Sequence, residues 1–387
     1  MKGRVDMMNE DIFKLDESWK NVNTIIPFGY GRTTKRVLLK LLETFQIPFI
    51  IDNKSENICV ECRGIRIYNL QEATSLIKGT KIVIMTKGSI YVDISRQLEA
   101  AGYREYEDYC AFERFMVEWH YKYEGKCYLS KLNTIITSNC TLQCGHCATF
   151  IPFCKKKKDC SISEIKRNLA SVFKYVDYVT EFAMLGGEPL LHKKLKEIVE
   201  FAAVEYKAHI GQIVLITNGT IVPNEDVLAV LKKYNVMLSI SDYTAVKGYS
   251  DKLYELVSTL EAHGIAYYIN SNIEWKDHCY PHTEYKCEDN RLKRHMELCG
   301  YNIHSVNDGK LYYCEVAWAA RRHTGFCDTK EDYIDLELLE QALTPMEAKL
   351  RIITYCMGNV NEKGYMEFCK YCAGSGVDNN RVIQAGT

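Results

Sequence analysis

The sequence has almost no net charge: 49 Lys and Arg stand against 50 Asp and Glu, a formal balance of -1 over 387 residues. No overall basic field draws such a chain to nucleic acid or to an anionic membrane. No run of about twenty apolar residues is present, so no membrane-spanning helix is expected. The first residues, MKGRVDMMNEDIFKLDESWK, are polar and acidic, unlike a signal peptide. Low-complexity segments are also missing. The expectation is a cytoplasmic globular protein of roughly two or three domains, with neither nucleic acid nor membrane as partner.

What is plentiful is cysteine, with 17. A secreted disulfide framework fits poorly, because disulfide dependence belongs mainly to small exported domains. The odd number would also leave one thiol unpaired. In a reducing compartment, clustered cysteines point to metal.

Hydrophobic periodicity divides the chain. Residues 1–22 read as a polar lead-in. Over 23–115, the apolar runs NTIIPF, PFIIDN and KIVIMT alternate with amphipathic helices such as KRVLLKLLETF. That alternation implies a small parallel-sheet, Rossmann-like domain. Residues 116–130 read as a connector. A second β/α series begins with LNTIITSN and continues through EFAMLGG, QIVLITNG, VMLSISD and IAYYIN. It gives a partial barrel over 131–295, too short for the roughly 250 residues of a complete eight-fold one. Residues 296–387 form a cysteine-rich tail.

Directly after the first barrel strand comes Cys140-Thr-Leu-Gln-Cys144-Gly-His-Cys147. Three thiolates in one loop can bind three irons of a [4Fe–4S] cube and leave the fourth iron open. An open position is what separates catalytic metal sites from structural ones. The rival is a zinc knuckle with His146 as fourth ligand, which demands awkward backbone geometry between two cysteines.

The CxxxCxxC spacing after a first barrel strand resembles the radical S-adenosylmethionine (SAM) superfamily, and the resemblance covers residues 131 to about 275. It extends to Gly186-Gly187-Glu188-Pro189 at the end of the second strand. The resemblance implies that this motif binds the SAM amino group, the glycines allowing close backbone approach and Glu188 supplying a carboxylate. It also implies SAM contacts for Asn218, Ser239 and Ser241, which by type could equally be helix caps. His146 stands where the family has an aromatic residue beside the adenine. The implied fold is a partial (β/α)6 barrel.

A second set follows. Cys299 and Cys314 are spaced C-x9-G-x4-C around a turn at Gly309, and Cys369-Lys-Tyr-Cys372 lies near the end. Two distant thiolate pairs suffice for a four-coordinate metal. The pattern resembles the twitch domain, the shortened SPASM form, and so implies one auxiliary [4Fe–4S] cluster; four-cysteine zinc is the alternative. Cys279, Cys287, Cys327 and Cys356 lie near this set, and Cys327 is the candidate hydrogen donor. Cys59 and Cys62 form an isolated CxxC. Glu315 and His192 lie near the motifs as further candidates.

In the N-terminal domain, Gly29-Tyr-Gly31-Arg-Thr-Thr34 follows a strand and opens a helix, as a phosphate site would. Thr34 replaces the third glycine of the dinucleotide fingerprint, and Asp52 ends the next strand where a ribose hydroxyl is expected. A sheet without ligand is the plainer reading.

The resemblance implies reductive cleavage of SAM, hydrogen abstraction from a sugar, cyclitol or nucleotide-linked small molecule, and a flavodoxin- or ferredoxin-type electron donor. The outcome would be dehydrogenation or epimerisation, in surface-glycan or secondary-metabolite biosynthesis. A maturase acting on a ribosomal precursor peptide and a non-catalytic zinc scaffold are the alternatives.

Overall fold

A computed structural model describes residues 12–54, 56, 61–86, 88–271, 274–299, 303–376 and 378–386. The chain forms two compact units that divide between Ser130 and Lys131. Among the described residues no helix is long and apolar enough to cross a membrane.

The first unit is built on a six-stranded sheet. Its strands are β1 (Ile25–Phe28), β2 (Phe49–Ile51), β3 (Glu61–Cys62), β4 (Ile65–Tyr68), β5 (Lys81–Ile84) and β6 (Tyr109–Ala111), in the order β3-β4-β2-β1-β5-β6. All neighbours pair parallel except the β3–β4 hairpin. Counted in chain order, the five parallel strands run 3-2-1-4-5, the winding of a dinucleotide-type sheet. Ile26, Phe28, Ile51, Ile82, Ile84 and Leu98 fill its core.

Two stretches read as lead-in and connector pack together in this unit. Trp19 is fully buried, and its indole donates to the Tyr106 carbonyl at 2.8 Å. The indole of Trp119 donates to the Trp19 carbonyl at 2.9 Å, and the Leu15 N–H donates to the buried Glu118 carboxylate. A single tryptophan in a polar stretch leaves no periodic signal, so pattern reading passes over it.

The strand ends are closed by their own side chains. Asp52 accepts from the Tyr30 N–H at 2.5 Å and the Lys54 N–H at 2.8 Å, and the Thr34 hydroxyl donates to the Gly29 carbonyl. Asp52 therefore ties the β1 turn to the β2 turn. Cys62 lies beside the Tyr30 hydroxyl, and that hydrogen bond helps push the phenol up to about 12. Cys59 lies outside the described residues.

In the second unit β7 (Tyr128–Thr137), β8 (Tyr178–Gly186), β9 (Ile210–Thr217), β10 (Met237–Ser241) and β11 (Tyr267–Asn270) lie side by side in sequence order. Buried runs such as the one filling most of β8 fit strands covered on both faces. Helices Ile162–Phe173, Leu195–Glu205, Glu225–Lys233 and Ser250–His263 connect them. Ser161 caps the first by accepting from the Glu164 N–H at 3.1 Å, and Asn224 caps the third through the Val227 N–H at 3.0 Å.

A short β12 (Glu274–Lys276) follows, and then β13 (Ser305–Asn307), β14 (Lys310–Tyr312) and β15 (Tyr333–Asp335) extend the same sheet from its β7 edge. β13 runs parallel to β7, so the sixth parallel strand stands beside the first instead of following the fifth. Side chains bolt it there. Thr134 donates to the Val306 carbonyl at 2.9 Å, Asn307 accepts from the Ile135 N–H at 3.0 Å, and Asn133 donates to Glu315 at 2.6 Å. Glu315 is buried and structural in this arrangement. β16 (Val382–Gln384) pairs antiparallel with β12.

Asp52→Ala should lower the stability of the first unit by about 1–3 kcal/mol, since it strands two backbone donors. Urea unfolding followed by tryptophan fluorescence checks this.

Candidate metal centre and strand-end site

The cysteine loop starts where β7 ends. Thr137 and Asn139 side chains both donate to Asp159 Oδ1, at 2.7 and 2.9 Å. Ser138 exchanges hydrogen bonds with Lys158, its N–H donating to the Lys158 carbonyl at 2.9 Å and its hydroxyl accepting from the Lys158 N–H at 2.7 Å. The loop is thus clamped just before Cys140. Cys140 Sγ accepts from the Leu142 N–H at 3.4 Å and from Asn218 Nδ2 at 3.6 Å. Cys147 Sγ sits 3.2 Å from the Thr149 hydroxyl, which reaches the Gly186 carbonyl.

The end of β8 presses on this loop. A Cβ on Gly186 would lie 2.0 Å from the Thr137 carbonyl oxygen, and one on Gly187 would lie 2.2 Å from that of Asn139 and 2.8 Å from Cys140 Cβ. Gly187 and Glu188 N–H groups donate to those same carbonyls at 2.9 and 2.7 Å. The glycines thus admit a neighbouring backbone, the one that carries Cys140. Glu188 has no exposed surface. Its carboxylate accepts from the Thr217 hydroxyl at 2.8 Å, the Asn218 N–H at 2.8 Å and the Leu190 N–H at 3.1 Å. It staples the end of β8 to the end of β9. Burial pushes this carboxyl up to about 7, against hydrogen bonds from Asn218, Leu190 and Thr217 that pull it down. Pro189 opens the short turn that follows.

Asn218 accepts from the Thr220 N–H and hydroxyl and donates to the Thr141 hydroxyl at 3.1 Å, so it spans the β9 turn and the cysteine loop. Ser239 is buried and accepts from Asn270 at 3.2 Å. Ser241 hydrogen-bonds Tyr243, whose phenol is raised by burial and by the nearby charges of Cys144 and Cys147. His146 faces Asp277, with 3.3 Å between Nδ1 and Oδ1, and its ring lies 4.9 Å from that of His282. His192 is fully engaged: its Nδ1 accepts from the Lys194 N–H and its Nε2 meets the Cys160 carbonyl, both at 3.0 Å. That leaves it no free nitrogen for substrate.

Two thiols of the loop are held in their neutral form. Burial raises Cys140, and the charges of Glu188 and Cys147 add to it. Burial likewise pushes Cys144 up to about 11, with Cys147 and Cys140 contributing. The second set behaves the same way. Burial raises Cys314, Cys369 and Cys372; Cys314 and Cys372 each respond to the other three of the set, or to two of them, and Cys369 responds to Cys299 and Cys287. Cys299 Sγ would lie 3.3 Å from a Cβ on Gly374, and the Gly374 N–H donates to Cys372 Sγ at 3.3 Å. Thiols that burial holds neutral resist ionisation until a cation balances them, so Cys140 and Cys144 in one set and Cys314, Cys369 and Cys372 in the other suit a metal cluster. Among the described residues no three Cys, His, Asp or Glu side chains converge on a single-ion position; in a cube each thiolate binds its own iron.

A segment that pattern reading passed over joins the two sets. Asp277 pairs with His146, His278 Nδ1 lies 3.7 Å from Cys372 Sγ, Cys279 bridges Cys372 through backbone, and His282 meets the Gly145 carbonyl at 2.6 Å. The run Asp277-His278-Cys279, three ligand-type residues between the cysteine sets, was its signal. Phe150, Tyr280, Phe326 and Phe368 pack edge to face in the same region. Cys327 is exposed, its sulfur 3.9 Å from the Gly325 carbonyl. Cys356 and Cys287 flank the second set through Tyr313 and Cys369 respectively. None of the described cysteines forms a disulfide.

With this geometry in view, residues 134–259 match the model of the radical SAM superfamily. The chain carries a radical SAM domain. The superfamily uses a [4Fe–4S] cluster and SAM. Solved structures that match parts of the chain include anSMEcpe with bound AdoMet and Cp18Cys peptide, at 20% identity over 36% of this chain and 42% of that one, with a TM-score of 0.29. Streptococcus suis SuiB bound to S-adenosylmethionine matches at 16% identity over 48% of this chain and 38% of that one, TM-score 0.29. BtrN in complex with AdoMet and 2-DOIA matches at 13% identity over 67% of this chain and 98% of that one, TM-score 0.38. The matches to anSMEcpe and SuiB thus span less than half of those chains. No curated relative matches.

Two outcomes follow. Gly187→Ala should displace the Cys140 loop and cost about four irons per chain after reconstitution, read by iron and sulfide assay. In metal-free protein the raised Glu188 carboxyl stabilises the fold fully below about pH 4.5, and this contribution is lost as pH rises to about 7. Glu188→Gln should remove up to about 3 kcal/mol of that pH dependence, read from urea midpoints across the range.

Proposed function

We propose that this protein is a radical SAM oxidoreductase or epimerase that takes hydrogen from a sugar, cyclitol or nucleotide-linked small molecule. Cys140, Cys144 and Cys147 hold the SAM-binding [4Fe–4S] cluster in this reading. Cys299, Cys314, Cys369 and Cys372 hold one auxiliary cluster. The carrying observation is geometric: the loop of Cys140 and Cys147 is bonded to the β8 and β9 ends through Asn218 and Thr149, and the Asp277–His278 segment joins it to Cys372 in the tail. Bound together, cluster and SAM supply a 5′-deoxyadenosyl radical, and that is the cofactor's chemistry.

The protein's own residues position and shield. Glu188, Thr217 and Asn218 keep the β8 and β9 ends in fixed register beneath the ligand. Asn218 holds Cys140 and Thr141 by its amide. Ser239, Ser241 and the Gly186 to Pro189 turn line the same strand ends and meet SAM, Glu188 through its backbone, since its carboxylate is held by Thr217, Asn218 and Leu190. His146, fixed by Asp277, flanks the adenine side. The buried aromatic group around Phe150 and Phe368 keeps water from the space between the sulfur sets. Cys327, exposed, is the thiol available to return hydrogen in an epimerisation. A flavodoxin- or ferredoxin-type protein delivers the electron.

The first unit supports the small-molecule reading over the peptide one. Its parallel 3-2-1-4-5 sheet differs from the winged-helix element that a peptide maturase would use to grip a precursor.

The test is iron and sulfide per chain after anaerobic reconstitution, with SAM cleavage under dithionite. About eight irons are expected, and about four in each of two variants, Cys140→Ala/Cys144→Ala/Cys147→Ala and Cys299→Ala/Cys314→Ala. The first variant should lose SAM cleavage and the second should keep it. Zinc in place of iron, with SAM intact, would overturn the assignment. With substrate in hand, solvent deuterium at carbon marks epimerisation, and a carbonyl product marks dehydrogenation.

A further inference from the structure

The loop between the cysteine triad and helix Ile162–Phe173 carries Lys155, Lys156, Lys157 and Lys158 in succession, all exposed. Asp159 follows them directly, its two oxygens taken by Thr137, Asn139 and the Lys193 N–H, and Glu164 and Asp308 are further carboxylates near Cys160. The Asp159–Lys193 contact, at 3.2 Å, brings exposed Lys193 alongside the run. These five lysines outnumber the carboxylates beside them, on a chain whose total charge is -1. No ion pair involves Lys155 to Lys158 or Lys193 among the described residues; other exposed lysines, such as Lys174, Lys194 and Lys363, sit beside a carboxylate.

Like charges packed in one loop repel each other, and the fold makes no internal use of these. The end of the run is nonetheless anchored. The Lys158 carbonyl and N–H are both bonded to Ser138, and Asp159 is bonded to Thr137 and Asn139. Ser138 and Asn139 lead directly into Cys140. A basic patch without ion pairs is thus tethered, through Lys158 and Asp159, to the residues that begin the cysteine loop.

We infer that Lys155–Lys158 with Lys193 form the docking surface for an acidic one-electron donor protein of the flavodoxin class. The inference rests on the reading of Cys140, Cys144 and Cys147 as cluster ligands. Charge complementarity is the recognition: an acidic face meets the patch, and the electron enters close to the triad. One electron leaves the reduced donor and one enters the oxidised cluster, with no other co-reactant. Steering of this kind raises encounter rates about 10–10³-fold and is screened by salt. Nucleic acid is the poorer occupant, because the positive field does not extend over the wider surface of a near-neutral chain.

Stopped-flow reduction of the reconstituted holoenzyme by a reduced acidic flavodoxin, with dithionite as the small-molecule control that needs no protein interface, tests it. At low salt, Lys155→Glu/Lys156→Glu/Lys157→Glu should slow flavodoxin reduction about tenfold or more and leave dithionite reduction unchanged. The corresponding triple arginine variant should stay near wild type. Raising ionic strength from about 0.02 M to about 0.5 M should slow the wild type and flatten the difference between variants. Circular dichroism and iron content confirm that each variant is folded and loaded. Equal flavodoxin rates in wild type and charge-reversed protein, or wild-type rates indifferent to salt, would overturn the proposal. So would loss of single-stranded oligonucleotide binding in the reversed variant with flavodoxin binding intact. NMR titration of labelled flavodoxin with the metal-free chain reads docking separately. Docking without iron uptake refutes the cluster assignment alone, and iron uptake without docking refutes the patch alone.

Discussion

The second unit turns on one close backbone contact. At the end of β8, Gly186 and Gly187 lie so near Thr137 and Asn139 that any side chain there would overlap a carbonyl. Two N–H groups convert this proximity into hydrogen bonds, and Glu188, buried beneath, accepts from the β9 turn. Three strand ends are thereby held as one piece. The cysteine loop, the GGEP turn and the Thr217-Asn218-Gly219 turn cannot move independently. A buried carboxylate is costly, and three donors offset part of that cost. Its raised proton affinity is the visible remainder.

The same economy of position recurs on the far side of the triad. Asp159 receives Thr137 and Asn139 and so anchors the lysine loop to the strand that feeds Cys140. Asp277 and His282 reach back to His146 and Gly145, while the intervening His278 and Cys279 touch Cys372. The two cysteine sets are therefore connected through a few covalently adjacent residues, with an aromatic group filling the space around them. Potential and stability of one cluster would respond to hydrogen bonds offered by this segment, the lever by which proteins tune iron–sulfur centres.

Some expectations met a different geometry. Glu188, read as a partner for an ammonium group, spends both oxygens on the protein. Asp52, read as a ribose partner, spends both on backbone amides of its own turns. His192 and Glu315 likewise have structural partners. In each case hydrogen bonds within the protein, some from the next turn and some from another strand end, hold the side chain.

Sequence alone determined the alternation of strands and helices, the position of both cysteine sets and the strand-end placement of their motifs. These are local properties: periodicity, spacing and the turn chemistry of glycine. Only the tertiary structure decided that the sixth parallel strand stands beside the first, that Trp19 is a core residue, and that Asp277 to Cys279 join the two sulfur sets. Those facts depend on pairs of residues tens to more than a hundred positions apart. No window along the chain contains both partners, and only the folded backbone brings them within hydrogen-bond reach.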